Sequence, residues 1–124
     1  MAQASIGTRV PRLDGGEKAM GKAQYLADLK LTGMTQVRFV KSPLAHARIK
    51  SIDTSKAEAL PGVVAVVTHE DVPDTLVGEV VMDQRLFAKE KVRYVGDIVA
   101  AVAAEDLDTA NRAVELVKID YEEL

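Results

Sequence analysis

Seven consecutive apolar residues, Ile98 to Ala104 (IVAAVAA), constrain this chain more than any other stretch. The run is too short for a free-standing core helix and is rich in small and β-branched side chains, which predicts a central strand buried on both faces. Gly96-Asp97 in front of it is a turn signal, and Lys91 to Val95 alternates polar with apolar, so the two runs are expected to form a hairpin. Beyond the strand the period changes. Leu107, Ala110, Ala113, Val114 and Val117 fall on one face at helical spacing, while Asp108, Asn111, Arg112 and Glu115 fall elsewhere on the wheel. This predicts an amphipathic helix over about 106–116. Asp106 is its natural N-cap, with Glu105, Asp106 and Asp108 at the positive end of the helix dipole and Lys118 near the negative end. Val117, Ile119 and Tyr121 then alternate with Lys118, Asp120 and Glu122, the pattern of a strand with one wet face.

The chain before this unit reads in shorter pieces. Residues 1–20 carry Gly, Pro and mixed charge with little periodicity and are expected to form an extended N-terminal arm, with 21–124 a single domain. Gly21 to Asp28 offers a short strand, and Val37 and Phe39 around Arg38 a strand from about Thr35 to Lys41. Ser42-Pro43 turns the chain into a further strand in which Ala45, Ala47 and Ile49 alternate with His46, Arg48 and Lys50. Asp53-Thr54-Ser55 supplies N-caps, and Ser55 with Glu58 has capping-box spacing, which opens a helix over about 54–60 that Pro61-Gly62 closes. Val63 to Thr68 (VVAVVT) reads as a second buried strand. His69 to Val72 allows one helical turn before Pro73, and Asp74 to Lys89 reads as a long, partly ordered connection. Runs of strands broken by two helices predict an α+β fold with a mixed sheet.

Charge and composition remove several function classes. With 16 Lys+Arg against 19 Asp+Glu and a net charge of −3, the chain has no basic stripe of the kind nucleic-acid binding needs. It has no cysteine, so thiol catalysis, disulfides and iron–sulfur ligation are excluded within it, and the composition suits a reducing cytoplasm. No stretch reaches membrane-spanning length. A soluble, cytoplasmic protein is the expectation.

Residue chemistry offers few active-site constellations. His46 and His69 are the only histidines, and neither has ligand spacing, so both read as surface side chains and no metal-binding residue is assigned. Ser42, His46 and Asp53 can be named as a hydrolase triad, but the chain lacks a G-x-S-x-G elbow. Gly15, Gly16 and Gly21 have the wrong spacing for a dinucleotide fingerprint and lie before a weak strand. The acidic pairs Glu70-Asp71, Glu105-Asp106 and Glu122-Glu123 are sequence neighbours, whose carboxylates point apart in a helix or strand, so capping and solvation account for them. No catalytic or cofactor-binding residue is assigned either.

Seven motifs nevertheless occur in a specific order: G-x-A-x-Y-x-A-D (Gly21 to Asp28), S-P-x-A-H-A-R-I (Ser42 to Ile49), I-D-x-S-x-A (Ile52 to Ala57), P-G-V-x-A-V (Pro61 to Val66), the following H-E-D, V-G-D-x-V-A-x-V-A-A (Val95 to Ala104) and V-x-I-D-Y-E-x-L (Val117 to Leu124). Together, over about Gly7 to Leu124, they resemble the a/b hammerhead domain that opens the large, molybdenum-binding subunit of the xanthine dehydrogenase and aldehyde oxidase family. Its bacterial members include 4-hydroxybenzoyl-CoA reductase and aerobic carbon monoxide dehydrogenase. The resemblance implies a parent oxidoreductase with molybdenum in a pterin dinucleotide and with [2Fe-2S] clusters and FAD on partner subunits or domains. It also implies a dimer of heterotrimers, formed with an iron–sulfur subunit and an FAD subunit. The family's catalytic glutamate and pterin loops belong to later domains and map to no position here, so Leu124 is expected to be a boundary within a larger subunit. A free-standing small-molecule-binding regulatory α+β module is the alternative, and a small hydrolase using His46 a third reading.

Overall fold

The structure, a computed structural model, describes Gly7 and residues 9–124. These divide into two compact units, Met1–Thr32 and Gly33–Leu124. The first holds a five-residue helix, α1 (Gly15–Ala19), with no buried side chain, and a 3-10 turn at Leu26–Asp28. The expected arm is therefore not extended throughout, and its residues 1–6 and Thr8 lie outside the described residues. Nor is there a strand in Gly21 to Asp28. The Asp28 carboxylate accepts the Tyr25 N–H at 2.9 Å, a local bond that closes the backbone into a turn.

The second unit runs β1 (Gln36–Lys41), β2 (Ala47–Asp53), α2 (Ser55–Glu58), β3 (Val63–Val67), β4 (Leu76–Val77), β5 (Gln84–Arg85), β6 (Lys91–Val92), β7 (Ile98–Ala104), α3 (Leu107–Leu116) and β8 (Lys118–Glu123). The fold is α+β. In place of one mixed sheet the strands form three, ordered β1-β7-β3, β6-β2-β8 and β4-β5, and every pair is antiparallel.

The apolar run is β7, and it is central. Residues 99–102 and 104 are buried, with β1 on one edge (Val40↔Ala100, Arg38↔Val102) and β3 on the other (Val66↔Val102). The hairpin with Lys91 to Val95 does not form, because β6 pairs with β2 instead (Ala47↔Val92). A strand apolar on both faces takes the interior of a sheet, where both its edges are paired. The intervening turn passes the chain from one sheet to the other. Gly96 stands there at φ +94, as a turn glycine is expected to do. Its N–H donates to the Ser42 carbonyl at 2.8 Å and the Ser42 N–H donates to the Asp97 carbonyl at 2.9 Å, which ties this turn to the one after β1.

β3 departs from its expected burial. Val64 and Ala65 are exposed, since β3 is an edge strand with a register irregularity between Val63 and Ala65. The predicted strand at Ala45 starts at Ala47 and runs to Asp53. The predicted 54–60 helix shortens to α2. Its start is organised by Asp53, which accepts the Ser55 N–H at 3.1 Å and the Ser55 hydroxyl at 2.6 Å, and Thr54, not Ser55, stands at the N-cap. His69 and Glu70 form a single turn, closed by the Asp71 N–H on the Thr68 carbonyl at 3.3 Å, and no helix develops from it. The connection after it contains the β4–β5 ladder, whose bend needs Gly78 because a Cβ there would strike the Val81 carbonyl. Asp74 beside it receives Arg85 and Lys89.

α3 packs on the first sheet, where Val40, Ala57, Ala100, Val102, Ala113 and Val117 form one core cluster. A second cluster joins Ala47, Ala88, Val92 and Val99. Val102 is 0% exposed, so Val102→Asp buries an unpaired carboxylate at a cost of several kcal/mol, a large part of a domain's total stability. Loss of soluble, cooperatively melting protein is expected, and a folded variant would displace β7 from the core.

The α3 cap yields a pH test. Asp106 accepts the Thr109 N–H and hydroxyl, each at 2.8 Å, and these bonds, the backbone one foremost, hold its carboxyl below the ordinary aspartate value. A depressed folded pKa adds stability above the unfolded value, near pH 4, and that stability is lost as pH falls through the lower folded value. Asp106→Asn keeps an acceptor but does not titrate. Thermal melting from neutral to acidic pH should therefore show the native chain losing more than the variant, and parallel curves would refute the cap's charge dependence.

Candidate functional site

The β2–β8 ladder breaks register between Ile49 and Ser51, and Lys50 stands at the irregularity. Beside it Ile49 to Ile52, Thr54, the Thr68–Glu70 loop and Lys89 enclose an open cleft of about 300 Å³. The loop is built by Asp71, whose carboxylate accepts the Thr68 N–H at 2.8 Å and the Thr68 hydroxyl at 3.1 Å, while the Glu70 N–H donates to that hydroxyl at 3.3 Å. The Thr54 hydroxyl is likewise engaged, donating to Glu58. Both cleft lysines have carboxylate neighbours: Lys50 lies 3.8 Å from Glu122, which Arg48 also approaches at 3.6 Å, and Lys89 lies 3.3 Å from Asp74. These are exposed pairs of small energetic weight, but they occupy the charge that an anion would need. His69 is different. Its Nδ1 is buried without a hydrogen-bond partner.

A base needs the proton it moves within hydrogen-bond reach, and among the described residues no hydrogen bond joins His69 to a hydroxyl or carboxylate. The cleft can accept a polar group but presents no nucleophile–base pair. The named triad is not assembled in the hydrogen-bond network either. The Ser42 hydroxyl donates to the Leu44 carbonyl at 3.0 Å and accepts the Leu44 N–H at 3.1 Å, His46 is exposed, and Asp53 is committed to Ser55. Among the described residues no three His, Asp or Glu side chains gather as a metal site. Gly15 and Gly16 open α1, and Gly21 follows it at φ +66. The acidic pairs serve locally: Asp106 caps α3, Asp71 closes its loop and Glu122 faces Arg48.

Sequence reasoning placed His69 on the surface and passed over Tyr121 as a site residue. Tyr121, on β8 opposite Ile49, packs on the second core cluster, and its buried hydroxyl has no partner of hydrogen-bonding geometry. Burial pushes its pKa up, the nearby Ser42 hydroxyl opposes that rise, and Asp97 adds to it. Ser42 offers only weak relief because its proton and one lone pair already serve Leu44. No local pattern marks either orphaned atom, since each results from packing between distant segments.

Comparison with known proteins places this geometry in context. A family profile described as aldehyde oxidase and xanthine dehydrogenase, a/b hammerhead domain, matches residues 20–124. The chain is 46% identical over 114 residues to a probable xanthine dehydrogenase component of Bacillus subtilis, covering 91% of this chain and 15% of that protein. It is 46% identical over 126 residues to the carbon monoxide dehydrogenase large chain of Afipia carboxidovorans, covering 96% of this chain and 15% of that one. The crystal structure of quinoline 2-oxidoreductase from Pseudomonas putida 86 superposes with a TM-score of 0.88 at 41% identity, over 98% of this chain and 17% of that one. The chain thus spans about 15% of the length of each of these two curated relatives.

The cofactors implied by the resemblance do not fit the residues present. Iron–sulfur clusters are held by thiolates, and the chain has no cysteine. A pterin dinucleotide carries a pyrophosphate that wants free N–H groups or unpaired cations, whereas the cleft's lysines face carboxylates and the Thr68 and Glu70 N–H groups are bonded within their loop.

Losing a bonded buried hydroxyl costs about 1 kcal/mol, but the Tyr121 hydroxyl has no such bond to lose. Tyr121→Phe should leave urea-denaturation stability unchanged or raise it. A loss of about 1 kcal/mol or more would show that the hydroxyl has a partner.

Proposed function

The chain belongs to the aldehyde oxidase and xanthine dehydrogenase family as its a/b hammerhead domain, and from that premise we propose that it is the N-terminal structural and assembly domain of a molybdopterin-dependent oxidoreductase large subunit. One observation carries the reading. Nearly all of this chain aligns with only about 15% of its relatives, so the chemistry named in those relatives has most of their length in which to reside. The side chains agree with a supporting role, because the cleft's lysines face carboxylates, Thr68 is bonded within its loop, and His69, whose Nδ1 has no partner, forms no nucleophile–base pair. The comparisons do not favour a free-standing regulatory module.

In this proposal residues 1–20 are an arm and 21–124 the domain proper. Both pack with the remaining domains of the large subunit, and iron–sulfur and FAD subunits complete a cytoplasmic dimer of heterotrimers. The molybdenum–pterin dinucleotide bound elsewhere supplies the redox chemistry. The work of this chain is to hold its neighbours in place.

The test uses two samples, this chain and the full natural polypeptide lacking residues 1–124. Metal analysis should find no stoichiometric molybdenum in the first. The second should show impaired cofactor loading and dye-linked turnover at least about tenfold down, the loss expected when positioned groups are misplaced. Stoichiometric molybdenum in this chain, or full activity in the truncated polypeptide, overturns the proposal.

A further inference from the structure

The two faces of the first sheet are covered unequally. Val40, Ala100 and Val102 face the cluster beneath α2 and α3, and strand alternation turns Val37, Phe39, Ala101 and Ala103 the other way. The register sets these residues in rows: Ala103 stands between Val37 and Ala65, and Ala101 between Phe39 and Val67. The result is one contiguous apolar patch across three strands. Val37 is 50% exposed and Phe39 48%, large values for side chains on the sheet that carries the core.

The patch is continuous with packed structure. Along β7, Val99 is 0% exposed and lies in the second core cluster with Ala47, Ala88 and Val92. The same strand therefore passes from an end covered by the second sheet to a middle where the small Ala101 and Ala103 are buried and half-buried beside the half-exposed Val37 and Phe39 of β1. A patch of this kind on a soluble domain marks a surface that is buried in the assembled protein.

We propose that the Val37–Phe39–Ala101–Ala103 face is the seat for the rest of the large-subunit polypeptide, which docks on it through an apolar segment. The inference rests on the reading of the chain as one domain of a longer subunit and deepens it by naming the surface. The occupant follows from two observations. The relatives are several times longer than the part this chain matches, so covalent continuity presents their remaining sequence at high effective concentration. The patch residues named here carry no charge, so a polar or ionic ligand gains nothing from them, whereas an apolar protein surface does.

The absence of cysteine from this chain makes the test direct. Val37→Cys, Phe39→Cys and, on the exposed outer side of α3, Glu115→Cys are made in this chain and in the full natural polypeptide, and maleimide labelling is followed at each peptide by mass spectrometry. All three should react readily in this chain. In the full polypeptide positions 37 and 39 should slow by about tenfold or more relative to position 115. Equal reactivity in both proteins overturns the proposal. Protection in this chain alone that grows with its concentration also overturns it, because a second copy would then be the occupant. Labelling reports burial whether or not the polypeptide holds molybdenum, so a failed assembly-domain reading with protected positions is told apart from a wrongly assigned face.

Discussion

The pairing of β7 on both edges is the constraint on which the rest of this domain depends. Its residues from Val99 to Val102, with Ala104, are buried, so the strand cannot serve as an edge and must recruit a neighbour on each side. β1 and β3 fill those positions from far upstream in the chain. α3, which follows β7 after a short turn capped by Asp106, folds back over the same sheet and closes the first core cluster with Ala113 and Val117. One apolar run thereby organises two flanking strands and two helices.

A second sheet is joined to the first through a turn and a shared end. The reciprocal bonds between Ser42 and the Gly96–Asp97 turn hold the exit of β1 against the entry of β7. Val99 meanwhile packs with Ala47, Ala88 and Val92. Gly96 makes the abrupt change of direction possible, because at φ +94 a side chain would be strained. The two clusters share Ile52 and Ile119 at their margins, so the sheets form one hydrophobic body in two parts.

Several acidic side chains find their partners close by in the chain or on an adjacent strand. Asp53, Asp71 and Asp106 each bind backbone N–H groups of nearby residues, and Glu122 and Asp74 each collect two cations. Such an arrangement shapes loops but leaves little chemistry unspent.

What the sequence determined by itself was everything carried by short-range periodicity and backbone chemistry. The apolar run as a central strand, α3 with its Asp106 cap, the final wet-faced strand, the positive φ of Gly96 and the α+β class were all legible, because each depends on residues within a turn or two of one another. The motif order made the hammerhead resemblance legible as well. Tertiary structure alone decided which strands pair. Lys91 to Val95 alternates well enough for a hairpin with β7, yet β6 joins β2, since β7's two edges are worth more filled by longer partners that also cover its core. The same holds for the edge position of β3, whose VVAVV reads as buried but whose Val64 and Ala65 meet solvent. It holds too for the orphaned His69 Nδ1 and Tyr121 hydroxyl, and for the exposed Val37 and Phe39. Burial and hydrogen-bond satisfaction belong to pairs of segments far apart in the chain, and no window of local sequence contains both members of such a pair.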